Sequence, residues 1–167
     1  EASICPFGAI FRNPPPIGAT VLVQGVGVAG LSFIQSVKCF GAKRVIAAGR
    51  NLSRLADAKR FGADVVVNTR EEDLDAVVRS ETDGLGVDLS IDAAGAAATF
   101  ANAIRLCASG GVVNLYGIPS AGTRLEIPTD EVIFRQLTLR GGTNNELAWA
   151  PLIDLIVQGR FNNAGMV

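Results

Sequence analysis

From Thr20 onward, hydrophobic and polar positions follow two rhythms. Short, nearly unbroken apolar runs such as Val21-Leu22-Val23 and Val45-Ile46-Ala47-Ala48 alternate with longer segments whose apolar residues recur every three or four positions. The runs predict strands at about 20–24, 44–48, 64–67, 87–92, 111–116 and 137–140. The longer segments predict helices at about 28–40, 52–61, 71–81 and 96–108, with Leu31, Ile34 and Val37 on one apolar face and Leu55, Ala58 and Phe61 on another. Strands that lack a polar face belong to a parallel sheet covered by helices on both sides. The pattern therefore predicts an α/β fold, a doubly wound six-stranded parallel sheet in three layers, α/β/α. Gly41 and Gly62 stand where helices end on a left-handed residue. Phe11 to Gly18, with Pro14, Pro15 and Pro16, reads as a stiff leading stretch and a boundary. Beyond the last strand, Ala148 to Gln158 carries Trp149, Leu152, Ile153, Ile156 and Val157 in helical register, the pattern of a helix that packs on something outside this sequence.

Composition narrows the function classes. The chain has 167 residues, 49% of them hydrophobic, enough for a substantial core. A formal net charge of −1, with no basic stripe interleaved with aromatics, gives no electrostatic case for nucleic acid or an anionic membrane. No apolar run approaches the ~18 residues of a membrane span. Cys5, Cys39 and Cys107 are odd in number and far apart, so neither a disulfide framework nor a zinc module is signalled, and a reducing, cytoplasmic setting is expected. Histidine is absent, which removes the commonest general acid/base and the commonest metal ligand. Together with the start at Glu1 and the stop at Val167, this suggests a piece of a larger protein that supplies only part of its chemistry.

The most informative motif is Gln24-Gly25-Val26-Gly27-Val28-Ala29-Gly30-Leu31, a G-x-G-x-x-G turn between the first strand and the first long helix. Gly25 lets the chain leave the strand sharply, Gly27 lets backbone N–H groups approach a pyrophosphate, and Gly30 allows close helix-to-strand packing. The helix N-terminus adds unpaired N–H donors and the positive end of a dipole. With 19 glycines in the chain the spacing alone is weak, and the strand before, the helix after and a second strand about twenty residues on give it meaning. A methyltransferase using a related glycine turn is the main rival. Either protein would ordinarily place a carboxylate after the second strand to hold ribose hydroxyls, but here that stretch reads Ala48-Gly49-Arg50-Asn51.

A glycine in place of the acid, followed by Arg50 and Arg54, suits the 2′-phosphate of NADP, a dianion that a carboxylate would repel and a guanidinium pairs with. The alternative is two solvated surface arginines, with Asn51 capping the second helix. Asp92-Ala93-Ala94-Gly95, Leu115-Tyr116-Gly117-Ile118-Pro119 and Leu139-Arg140-Gly141-Gly142-Thr143-Asn144 end the last three strands. Ligands of open α/β sheets lie outside those carboxyl ends, so the turns flank a cofactor cleft or are ordinary turn chemistry. Asp92 reads as a structural group. Tyr116 lacks a lysine four residues on, where Ser120 stands, which disfavours the short-chain dehydrogenase pattern. Glu71, Glu72, Asp73 and Asp75 sit at a helix start and read as a solvated face suited to the dipole, not a metal site.

Taken in order, Gly18 to Gly30, Gly62-Ala-Asp64, Gly86-Val-Asp88, Ile91-Asp-Ala-Ala-Gly95 and Leu137-Thr-Leu-Arg-Gly141 resemble the medium-chain dehydrogenase/reductase superfamily, in its zinc-dependent alcohol, threonine and sorbitol dehydrogenase branch. The resemblance runs from about Gly18 to Gly159. It implies a Rossmann domain of a two-domain oxidoreductase: residues 1–17 lead in from a catalytic domain, 18–144 bind NAD(P), and 145–167 form a helix leading back. It implies cofactor contacts at Gly25, Gly27, Val28, Ala29 and Gly30, at Gly49, Arg50, Asn51 and Arg54, at Ala93 and Ala94, at Tyr116, Gly117 and Ile118, and at Gly142 and Asn144. The cofactor expected is NADP, with NAD possible, and zinc only in a longer parent. Cys5 lies where the family's third zinc ligand often falls, though by itself it reads as a small buried hydrophobe. The other ligands are not in this chain, so no catalytic residue or metal site is expected within it. By the same resemblance the last strand joins two copies into a homodimer or homotetramer. The alternatives are a zinc-free quinone or enoyl reductase of the same superfamily, or a non-catalytic nucleotide-sensing or assembly module.

Overall fold

The computed structural model describes residues 2–142 and 146–166. Six strands form its sheet: β1 Thr20–Gln24, β2 Arg44–Gly49, β3 Val65–Asn68, β4 Val87–Asp92, β5 Cys107–Leu115 and β6 Thr138–Gly141. All pair in parallel, in the order β3-β2-β1-β4-β5-β6. Strand order reverses between β1 and β4, which makes the carboxyl end of β1 the switch point where open α/β sheets take ligands. Around the sheet lie α1 Ile4–Arg12, α2 Val28–Cys39, α3 Leu52–Arg60, α4 Leu74–Glu81, α5 Ala97–Arg105, α6 Thr129–Phe134 and α7 Trp149–Val157.

The strand alternation builds two faces. Val21 and Val23 of β1, Val45 and Ala47 of β2, and Leu89 and Ile91 of β4 point to the layer of α1, α2, α3 and α7, where Phe7, Phe33, Ile34, Leu55 and Leu152 meet them. Leu22, Ile46 and Ala48 point the other way, to Leu74 and Val78 of α4. Phe100, Ala103 and Ile104 of α5 close that second layer over Val113 and Leu137. Val21, Leu22 and Val23 are all fully buried, as a strand covered on both faces must be. The doubly wound, three-layer sheet expected from the pattern is the fold observed.

Three details depart from the pattern. A helix, α1, occupies residues read as part of a leading stretch; its Pro6 falls in the first turn, where the missing N–H breaks no hydrogen bond, and Phe7 and Ile10 bury one face. The helix expected at 96–108 stops at Arg105, and β5 begins at Cys107, paired with Val87, instead of at 111. Cys107-Ala-Ser-Gly-Gly carries no strand signal of its own, and pairing with β4 extends it. The helix expected from 71 starts at Leu74, because Asp73 caps it by accepting from the N–H groups of Asp75 and Ala76, and Glu72 instead accepts from the N–H of Asn68. Past α7, the chain returns across α2 and α3. Phe161 stacks edge-on against Phe7 at 6.1 Å, the Gln35 side chain donates to the Asn162 carbonyl and accepts from its N–H, the Asn162 side chain accepts from the Ala164 N–H, and the sulfur of the buried Met166 accepts from the side chains of Ser32 and Gln35.

Candidate functional site

The end of β1 is held from both sides before the chain turns. Gly25 N–H donates to the carbonyl of Ala48 on β2, and Ala93 N–H donates to the carbonyl of Gln24 from β4. Gly25 then takes φ +98°, and a Cβ there would lie 3.1 Å from the backbone of Ala93 and Ala94. Gly30 is where α2 crosses the turn: its Cβ would fall 1.8 Å from the Gly25 carbonyl oxygen. Gly27 differs from both. It caps α2 in an extended conformation, and a Cβ on it would meet nothing within 4 Å. Two glycines thus serve packing, and the third leaves open space in front of a helix N-terminus.

That open space belongs to a cleft of about 960 Å³ along the carboxyl ends of β1, β2 and β3. Gly25, Gly27, Gly49, Arg50, Asn51, Arg54 and Ala94 line it together, so much of the expected set converges. Asn51 caps α3, its side-chain oxygen accepting from the Arg54 N–H at 3.1 Å. The two arginines differ in freedom. Arg54 donates to the Met166 carbonyl at 2.9 Å and lies 3.8 Å from Asp57, whereas Arg50 has no hydrogen bond or ion pair among the described residues. Thr69 and Arg70, just past β3, also line the cleft and went unread in the sequence. The rule that ligands gather at strand carboxyl ends, applied to β3, would have found them.

A second cleft of about 450 Å³ lies past β5 and β6, against α1. It gathers Tyr116, Gly117, Ile118 and Gly142 with Gly8, Ala9 and Arg12 of α1, the helix that the sequence pattern did not predict, and with its C-cap residue Asn13. The turns after β4 and β5 touch at the backbone: a Cβ on Gly117 would sit 2.1 Å from the Gly95 nitrogen. Asp92 ties this knot, its Oδ1 accepting from the N–H groups of Ala94 and Gly95 and from the Thr99 hydroxyl. Its role is structural, as expected. Tyr116 packs edge-on against Phe33 at 4.9 Å, and burial, then the nearby Cys5, push its phenol up. Val28, Ala29, Gly30 and Ala93 line neither cleft; Val28 and Ala29 open α2, and Ala93 lies under Gly25. Asn144 lies outside the described residues.

No three His, Cys, Asp or Glu side chains gather at a point among the described residues, so the donor set described does not fit a zinc ion. Cys5 sits on α1 against the core, partly buried. Among the described residues no helix is long and apolar enough to cross a membrane.

Comparison with known proteins agrees with this geometry. Residues 27–158 match the family model described as zinc-binding dehydrogenase. L-threonine 3-dehydrogenase of Chelativorans sp. (strain BNC1) is 36% identical over 153 residues, which are 90% of this chain and 44% of that protein. D-arabitol-phosphate dehydrogenase of Enterococcus avium is 35% identical over 151 residues, 89% of this chain and 42% of that one. The chain therefore spans less than half the length of these relatives. Among solved structures, alcohol dehydrogenase TADH from Thermus sp. ATN1 superposes with a TM-score of 0.90 at 30% identity, over 97% of this chain and 48% of its own. A protein from Sinorhizobium meliloti 1021, described as a zinc-binding dehydrogenase and bound to NADP, superposes with a TM-score of 0.88 at 28% identity, again over 97% and 48%. The turn at Gly25, Gly27 and Gly30, the parallel sheet around it and the family model's span all place the chain in the zinc-binding dehydrogenase family of the medium-chain dehydrogenase/reductase superfamily.

Proposed function

We propose that this chain is the NADP(H)-binding domain of a zinc-dependent, alcohol-dehydrogenase-like oxidoreductase that moves hydride between nicotinamide and an alcohol or carbonyl substrate. One observation carries the cofactor choice. Where a carboxylate would meet ribose hydroxyls, β2 ends on Gly49, and the next residue, Arg50, lines the cleft with no partner among the described residues. The NADP-bound relative supports the same reading.

In this reading each part of the site has one task. The first turn of α2, from Gly27 through Val28 and Ala29, offers N–H groups and the dipole's positive end to the pyrophosphate. Arg50 pairs with the 2′-phosphate; Arg54, already engaged by Met166, stiffens that wall, and Asn51 fixes the start of α3. Ala93, Ala94, Tyr116, Gly117, Ile118 and Gly142 shape the path to the nicotinamide. The bound dinucleotide supplies or accepts the hydride, and zinc ligands come from the part of the protein outside this chain. Residues 1–17 and 145–167 connect to that part. The outer edge of β6, unpaired among described strands, takes a second copy of the chain, and the three free cysteines suit a cytoplasmic setting.

Titration calorimetry of Arg50→Ala against NADPH and NADH at fixed ionic strength tests this. A charge-assisted contact to phosphate is worth ~1.5–3 kcal/mol, so NADPH affinity falls about 10- to 100-fold while NADH affinity stays within about threefold. Equal loss for both dinucleotides would remove Arg50 from 2′-phosphate recognition.

A further inference from the structure

Gly49 is a glycine without a conformational reason. It is absent from the residues at positive φ, and it ends an ordinary strand in register with Asn68. The reason is volume. A Cβ at position 49 would lie 2.5 Å from Cγ2 of Val26, 3.5 Å from its Cγ1 and 3.6 Å from Cδ2 of Leu55. Both methyls of Val26 face that point, Val26 is only 6% exposed, and a β-branched side chain is stiff at χ1, so a rotamer change does not clear the space. Val26 itself stands between Gly25 and Gly27, in a turn whose geometry is set by its flanking glycines.

We propose that Val26 is a specificity-determining residue: its methyls fill the space that an acidic side chain at the end of β2 would need, so the ribose-binding carboxylate of an NADH-type site is excluded by volume as well as absent. The inference rests on the NADP(H) reading above and adds a second position to it. Cofactor class is set by the pair 26 and 49 with Arg50, and Gly49 does not change alone. A residue at 49 displaces Val26 or tilts the strand end, as overpacking in a filled site does.

The test uses the 167-residue chain as it stands and three variants, Val26→Ala, Gly49→Asp and the double variant, each followed by thermal unfolding and by titration with NADPH and NADH. Gly49→Asp is expected to lower the unfolding midpoint by about 3–10 °C and to leave NADH affinity within about threefold of the starting chain. The double variant is expected to regain most of that midpoint loss relative to Val26→Ala, and to bind NADH at least about tenfold tighter than Gly49→Asp does. Additive midpoint shifts, or a Gly49→Asp chain that gains NADH as fully as the double variant, would overturn the proposal. A starting chain that binds neither dinucleotide overturns the cofactor reading and the specificity role with it. The coupling in unfolding, which needs no ligand, separates that failure from the failure of the volume argument.

Discussion

Gly30 shows how much one missing methyl decides. Alanine at this position would drive its Cβ to 1.8 Å from a backbone oxygen of Gly25, which no rotamer relieves, so α2 must move away from the turn it helps to form. Gly30→Ala is expected to destabilise the chain by about 3 kcal/mol in urea unfolding and to weaken dinucleotide binding with it; a change under about 1 kcal/mol would contradict the packing role. The sequence made this glycine's role legible because G-x-G-x-x-G ties each position to a separate demand, and the structure separates them: packing at Gly25 and Gly30, open space at Gly27. Arg50 and Arg54 looked equivalent in the sequence. Their difference comes from Met166, more than a hundred positions away, and no local pattern carries such a contact. Cys107 is a second case in which context decides. Burial, partly offset by Arg135, pushes its thiol up to about 11, so at pH 8 only about one part in a thousand is thiolate. In native chains treated with iodoacetamide, Cys107 is therefore expected to stay unmodified while Cys5 and Cys39 label, and to react once urea unfolds the chain; early labelling of Cys107 would contradict its burial.

At the scale of elements, the strands and long helices were legible because each buries a periodic apolar face, and the ends were less so. α1 was missed because Pro14, Pro15 and Pro16 draw attention to extended backbone, whereas Phe7 and Ile10 form a helical face only as they pack on α2. The early start of β5 was missed because pairing with β4, not side-chain pattern, extends it. Ion pairs link elements: Arg44 of β2 with Glu81 of α4, Arg105 of α5 with Asp75 of α4, and a third on the other side of the sheet. Lys38 of α2 reaches Asp64, at the mouth of β3, at 2.6 Å, and Asp64 also accepts from the Val45 N–H of β2. Burial works against the Asp64 carboxylate, but the Lys38 and Val45 hydrogen bonds outweigh it and hold the carboxyl below its ordinary range. A depressed folded pKa means the contribution is complete above the unfolded value, about 3.9, and is lost as pH falls through the folded value. Urea midpoints of the starting chain are thus expected to drop more steeply below about pH 4 than those of Asp64→Asn; parallel acid limbs would show that Asp64 does not couple these elements.

At the scale of the molecule, helices on both faces of the sheet leave the cleft-lining turns at the strand carboxyl ends with the buried core beneath them, so the proposed binding and stability are partly separable. The returning segment after α7 touches both, since Met166 holds Arg54 at the cleft wall while Phe161 sits in the core. Phe161 is 1% exposed and packs edge-on against Phe7, and neither ring lines a cleft. Phe161→Ala is expected to cost about 3 kcal/mol in chemical denaturation while leaving the ratio of NADPH to NADH affinity unchanged; a loss under about 1 kcal/mol would mean that this segment rests on the domain without holding it. The larger cleft was legible in part: Gly25, Gly27, Gly49, Arg50, Asn51, Arg54 and Ala94 follow strand ends or the glycine turn, whereas Thr69 and Arg70 past β3 and Ala98, Thr99 and Asn102 of α5 join it only through the fold, and the smaller cleft needed α1. Of all measurements, the affinity of this chain for NADPH relative to NADH, taken by calorimetry at one low ionic strength, bears most directly on the account. A 2′-phosphate paired with Arg50 beside an acid-free strand end predicts NADPH tighter by about tenfold or more, and equal affinities or a preference for NADH would contradict it.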